Sequence, residues 1–549
     1  MKKKFKLISV SAAALMLFGC TAKNTSNNSS SPVSSSGKTT QSDTNYEPVT
    51  FPGDTNVEQV TLPVLSIETK NKDENVLDFI KVPVARHVAE DIASWTPRYK
   101  IPPEPYYEEC TISLKDGKGN SLLDSAEAKV KVRGNWTTTY DKKPLKIKFT
   151  EKQSILGLND GAEQKNWLLL AEYKDASMLR NKAALFASRE ILDKDGYFSA
   201  DCDFVQVEVN GEYLGLYLLS DMQQVSSKRI DITEPEKDYK GTDIGYFMEY
   251  DGYFENEEAL QSFPLDFADN APLKVYDGND DDEHFMRALA MTRTEGKKPV
   301  GITIKSSIYS QEQHDFIANF VNNTYRIMYE AAYNDKAFVF DSSYKNITET
   351  TDISPQQAIE NVVDVQSLVN MYIISELTCD ADIYWSSFYM DADFGPDGNK
   401  KLTFEAPWDF DSAMGNKDRC LDGTGFYASN IVPDVNGGSE VGGYDTINPW
   451  LVILAHEDWY QDMVRNTWTK AYDNGTFKRT CDLIVKDSTE LQDEFNKNYS
   501  KWNNIKYNND FVNELSAPAK KCKTQLEAAE FLLSWLNSRI AFLNEQWHN

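Results

Sequence analysis

Residues 405–416 read EAPWDFDSAMGN, with Asp409 and Asp411 two positions apart between Trp408 and Phe410. A carboxylate among bulky apolar side chains is costly unless it is paired or holds a metal. An extended backbone over 407–411 would turn both aspartates to one face and leave the two rings to anchor the other. With Asp382 a short way upstream, this is the donor set of a hard cation such as Mg²⁺, which takes one or two carboxylates together with substrate phosphates. The same stretch also reads as an aspartate-capped loop closed by a salt bridge.

Cations gather elsewhere, in VRGNWTTTYDKKPLKIKF (132–149). Arg133, Lys143, Lys146 and Lys148 lie on or beside strands, and a cation on a rigid strand holds a phosphate well. The plainer reading is the solvated face of a half-exposed strand. DADFGPDGN (391–399) lacks the spacing of a calcium loop and reads as a hairpin turn. The chain has no GxGxxG, Walker A or GxSxG sequence, and HEDWY at His456 lacks the second histidine of a zinc protease.

The elements that must position these groups are legible in outline. LPVLSIET (62–69), CTISLKD (110–116) and AKVKVRG (128–134) read as strands between turn residues. In PLKIKFT (144–150), Leu145, Ile147 and Phe149 alternate with Lys146 and Lys148. FVQVEVNGEYLGLYLLSD (204–221) is two strands about Asn210-Gly211, which suits a type I′ turn. SMLRNKAALFASREIL (177–192) has helical spacing after a serine able to cap it, and DVQSLVNMYIISELT (364–378) is apolar all round and therefore a buried helix. Two strands follow, over 384–393 and 400–410, and amphipathic helices fill the chain from about residue 448. The fold class expected is α+β, strand-rich first and helical last.

The ends and the composition bound the setting. Residues 1–20, MKKKFKLISVSAAALMLFGC, have a basic start and an apolar run too short to span a membrane, which is the pattern of a signal peptide. Its end resembles a bacterial lipobox, making Cys20 the lipidated first residue of an extracytoplasmic, membrane-anchored protein; plain secretion is the alternative. Residues 21–56, rich in Ser, Thr and Asn, read as a disordered tether, and 57–549 as one folded body. A net charge of −28 argues against nucleic acid as a partner. Beyond Cys20, six dispersed cysteines without a CxxC permit disulfides but no zinc ribbon.

Five stretches, taken together and in order, resemble the CotH-type atypical kinase family: 132–149, KNWLLLAEYKDASMLRNKAA (165–184), VEVNGEYLGLYLLSD (207–221), SELTCDADIYWSSFYMDAD (375–393) and KLTFEAPWDFDSAMGN (401–416). The resemblance implies a protein-kinase-like fold that binds ATP with Mg²⁺ or Mn²⁺ and phosphorylates serines of a protein partner. It implies Asp382 as the catalytic aspartate and Asp409 and Asp411 as metal ligands. Lys146 would be the nucleotide-phosphate lysine, with Arg133 and Lys148 as further cations. Arg180-Asn181 would serve structurally, tying a helix start to the hairpin. Two departures stand out: Ser386-Ser387 where many relatives have an asparagine, and Asp221 where many have a glutamate that orients the lysine. They leave open a degraded, non-catalytic scaffold that binds an envelope protein or polysaccharide.

Replacing Cys20 by Ser is expected to move the protein from the membrane to the soluble fraction. Fractionation and immunoblotting check this, and a variant that stays with membranes would refute the lipid anchor.

Overall fold

A computed structural model describes residues 46–549 except 54–56, 72–76, 277, 279–299, 385, 418–421, 431, 434–444 and 506–514. Cys20, the leader and most of the tether therefore lie outside the described residues, as do Cys420 and the acidic run 279–283. Among the described residues no helix is long and apolar enough to cross a membrane. No disulfide joins the cysteines at 110, 202, 379, 481 and 522.

Seven strands close a barrel: β1 (Val64–Thr69), β2 (Glu108–Lys115), β3 (Ser121–Val132), β4 (Leu145–Gln153), β5 (Gln164–Leu170), β6 (Cys202–Val209) and β7 (Glu212–Ser220), in the order β1-β2-β3-β4-β5-β7-β6. Neighbours are antiparallel except β1 and β6, whose parallel pairing shuts the ring. Leu145, Ile147 and Phe149 fill the barrel beside Val130, Val132, Trp167 and Tyr217, as the alternation of β4 requires. Asn210 (φ 50°) and Gly211 (φ 76°) form the β6–β7 turn with both residues at positive φ, as a type I′ turn demands.

One wall of this barrel is apolar on both sides. Leu168, Leu170, Phe204, Leu216 and Leu218 turn outward into a second, larger core. A five-stranded antiparallel sheet forms part of that core. It contains β8 (Gly245–Asp251), β9 (Ser262–Pro264), β10 (Gly301–Ile304) and, numbered past a small hairpin of β11 (Ala337–Phe340) and β12 (Ile347–Thr350), β13 (Phe388–Asp393) and β14 (Thr403–Phe404), in the order β14-β13-β8-β10-β9. Helices complete it: α1 (Arg180–Leu192), α2 (Gln311–Asn334), α3 (Val365–Thr378), α4 (Asp458–Asp473), α5 (Thr476–Glu490), α6 (Gln492–Lys501) and α7 (Gln525–Trp547). The C-terminal helices share this core, with Leu532, Leu536 and Ile540 beside residues of α3.

Two local expectations are corrected. The strand expected over 400–410 is only Thr403–Phe404, because the backbone then enters a series of turns. Helix α1 starts at Arg180, and its main cap is not Ser177: the Asp175 carboxylate accepts from the amides of Ser177, Leu179 and Arg180. An ionised side chain satisfies several exposed helix donors better than one hydroxyl does.

Helix α7 is fastened to α3 by a fully buried ion pair, Arg539 Nη2 to Glu376 Oε2 at 2.6 Å. Glu376 also accepts from the amides of Tyr427 and Ala428, and Arg539 donates to the Glu376 carbonyl. Breaking one half leaves a buried charge unpaired. Arg539→Met is therefore expected to lower stability by about 3–5 kcal/mol, and adding Glu376→Gln should restore part of it. Denaturant midpoints of the two variants check both statements.

Candidate active site

Helix α3 ends at Cys379, which adopts the left-handed conformation (φ 45°) and turns the chain sharply into Asp380 and Asp382. Asp380 Oδ1 accepts from the Asp382 amide, 3.1 Å, and so shapes the turn that presents Asp382. The second carboxylate segment comes from beyond β14. Its entry is pinned by Glu405, which accepts from the Phe198 amide, and by Ala406, whose amide donates to Phe198 O.

Asp409 is itself left-handed (φ 69°, ψ 51°), and Phe410–Ser412 form a short 3₁₀ turn. Residues 407–411 are thus not extended, which corrects the alternation expected for them. Aspartate tolerates this region of backbone space better than most residues. Trp408 and Phe410 are buried as expected, and the tight turn, not a strand face, swings both carboxylates the same way.

Three carboxylates meet there. Asp382, Asp409 and Asp411 each place an oxygen within 4.8 Å of the other two. Burial, and then Asp411 and Asp382, push the Asp409 carboxyl up to about 7. Asp380 is fully buried beside them, and its Oδ2 has no hydrogen-bond partner among the described residues. Burial first, then Asp382, holds its carboxyl well above the usual range. Two buried lysines face the group. Lys174 Nζ is 2.8 Å from Asp411 Oδ1 and 2.6 Å from Ser412 Oγ, and Lys417 Nζ is 3.9 Å from Asp382 Oδ1. An all-oxygen, carboxylate-rich set of this kind fits Mg²⁺ or Mn²⁺.

The opposite wall belongs to the barrel. Arg133, Thr137, Tyr140, Glu172 and Lys174 line one cleft with Asp409 and Asp411. Lys146 lies on the outer face of β4, in register with Lys131 of β3. Burial, and then Lys131, Arg133, Lys148 and Arg229, push its ammonium down to about 8. Among the described residues no ion pair joins Lys146 to a carboxylate. Asp221 pairs instead with Arg229, both fully buried, and not with Lys146. Lys148 is exposed, and the cleft lining contains Arg133 but not Lys146 or Lys148. Lys143 is buried and donates to Pro83 O, 2.8 Å, so it braces the excursion between β1 and β2.

Arg180 and Asn181 contact the aspartate turn and not the hairpin, and Asn181 also lines the cleft. Asn181 Oδ1 accepts from the Phe410 amide, 2.8 Å, while its Nδ2 donates to Glu172. Arg180 pairs with Asp175 and reaches Met414 O at 3.4 Å. Sequence reasoning passed over Asp380, Lys174 and Lys417. The first two stood in motifs already singled out (SELTCDAD and AEYKDAS), and the missing signal was their distance in space.

The family model described as CotH kinase protein matches residues 130–543. The chain belongs to the CotH kinase family. No curated protein matches it. Membership in the CotH kinase family makes the protein kinase-like, and the carboxylate cluster and the cationic wall both fall within the matched residues.

Glu405 generates a pH prediction. Burial raises its carboxyl to about 7, and Asp391, which is hydrogen-bonded to it, lies well above the usual range. A folded-state value above the unfolded one means that the native protein holds the extra proton. That stability is present in full below the unfolded value and is lost as pH rises through about 7. Glu405→Gln is expected to flatten the fall in Tm between pH 5 and 8.5, and thermal scans across that range check it.

Proposed function

We propose that this CotH kinase family member is a surface-anchored protein kinase of an atypical, protein-kinase-like fold. It would use ATP with Mg²⁺ or Mn²⁺ to phosphorylate serine residues of a partner protein, held at the membrane only by a lipid on Cys20. The observation that carries the reading is that carboxylates of the three-aspartate cluster and a cation line one cleft: Asp409 and Asp411 with Arg133. Phosphoryl transfer asks a protein mainly for positioning and charge neutralisation. A divalent ion at the aspartates would neutralise phosphate charge.

The chain's own residues supply the rest. Arg133 would meet the phosphates, and Lys146, outside the cleft lining, would add positive charge near it. Asp382 orients the serine hydroxyl and takes its proton as the hydroxyl oxygen bonds to the terminal phosphorus and the bond to the ADP oxygen breaks. The Asn181–Phe410 bond keeps Asp409 and Asp411 aimed, so little reorganisation accompanies transfer. The degraded-scaffold reading draws on Ser386-Ser387 standing where relatives have an amide, and it is the other outcome of the test.

Saturating Mg-ATP or Mn-ATP is expected to raise the Tm of the purified protein, by about 2.7 kcal/mol of added stability at a hundredfold excess over Kd. Asp411→Asn should lose this response while remaining folded. Asp382→Asn should keep it, yet lower radiolabel transfer to serine about 10²–10⁴-fold. A wild-type protein with no nucleotide-dependent shift at millimolar Mg-ATP or Mn-ATP would leave the scaffold reading in its place.

A further inference from the structure

Lys174 is not explained by the roles assigned above. It sits in the connection between β5 and α1, its side chain is 8 % exposed, and its ammonium is 2.8 Å from Asp411 Oδ1. Ser412 Oγ accepts from the same ammonium at 2.6 Å and donates to Asp411 Oδ1 at 3.1 Å, closing a triangle with the pair. The oxygen it contacts belongs to the three-carboxylate cluster, and Lys174 also lines the cleft that contains Arg133. Its neighbours on the chain are held firmly. Glu172 is gripped by Asn181, and Asp175 by the start of α1 and Arg180. The lysine is therefore delivered to Asp411 from a rigid base at the end of its own long stem.

We propose that Lys174 is a built-in counter-cation that competes with the divalent metal for Asp411. On metal entry it would turn to the phosphate side of the cleft and so couple metal binding to nucleotide binding. This rests on reading the cluster as the metal site of the kinase. A divalent ion needs the carboxylate oxygens drawn in to about 2.0–2.1 Å. An ammonium already bonded to one of those oxygens opposes this by direct occupancy and by like-charge repulsion. Metal binding should therefore loosen the Lys174–Asp411 contact, and the phosphates expected beside Arg133 would offer the released ammonium a new partner in the same cleft. A ligand that favours one of two placements of a side chain shifts the affinity of any other ligand that does so, and the effect is reciprocal.

A residue with a merely structural role would weaken metal binding when removed. A competitor strengthens it. The test is direct titration of the full-length protein with Mn²⁺ alone, following free Mn²⁺ by electron paramagnetic resonance, and then with ATP at saturating Mn²⁺ by calorimetry. Lys174→Met is expected to bind Mn²⁺ about tenfold tighter than wild type, in the usual range of site coupling, and to bind ATP more weakly. Lys174→Arg, which keeps a cation, should stay near wild type in Mn²⁺ affinity. If Lys174→Met does not fold, Ser412→Ala loosens the same contact without removing charge and should give a smaller gain in the same direction. Equal or weaker Mn²⁺ binding by the folded variants, with wild type binding normally, overturns the competition while leaving the proposed kinase standing. Tighter Mn²⁺ binding with unchanged ATP affinity overturns the transfer of the lysine to the phosphate side. No Mn²⁺ binding by any form, with or without ATP, removes the metal site itself.

Discussion

Repulsion between like charges organises this protein. Asp380, fully buried, and the partly exposed Asp382, Asp409 and Asp411 are brought together, and four ionised carboxylates would not remain so close without compensation. The structure compensates in two ways. Asp380 and Asp409 are driven toward the protonated form, Asp380 well above the usual carboxylate range and Asp409 to about 7. Lys174 and Lys417 bring positive charge to Asp411 and Asp382. Such an arrangement does little for stability by itself. A small cation held by Asp382, Asp409 and Asp411 would relieve that repulsion.

Holding mutually repelling groups requires a frame, and the frame is unusually local. A single run from Glu172 to Asn181 touches all of its parts. Glu172 and Lys174 face the cleft, Asp175 caps α1, Arg180 reaches the Met414 carbonyl, and Asn181 takes the Phe410 amide. Ten residues thus connect the end of barrel strand β5, the first turn of a buried helix and the aspartate turn. Because β5 is apolar on both faces, this run emerges at the seam between the two cores and cannot drift toward either. The Arg539–Glu376 pair does similar work at longer range, fixing α7 to the helix whose end carries Asp380 and Asp382.

Strands whose faces alternate were readable from the order of residues, since a side-chain period of two follows from strand geometry itself. β4 is the clear case, and the β6–β7 turn followed from Asn-Gly and its tolerance of positive φ. Residues 400–410 defeated the same logic. Apolar and polar residues alternate there too, but the burial of Trp408 and Phe410 is achieved by a left-handed aspartate and a 3₁₀ turn, not by a pleated strand. Ser177 misled for a related reason: a serine before a helical pattern is a fair cap until a nearby carboxylate claims the same amides.

What the sequence by itself determined is the inventory: paired aspartates among aromatics, a third upstream, cations on a strand, and an ordered set of motifs that places the chain in the CotH kinase family. These depend on residue type and short spacing, which the chain carries without folding. What only the tertiary structure decided is which of them meet. Arg133, not Lys146, shares the cleft with the aspartates, Asp221 is committed to Arg229, and Lys174, 237 positions before Asp411, becomes its ionic partner. An ion pair depends on distance through space, and the barrel closure and the shared core that set that distance leave no periodic mark in the sequence.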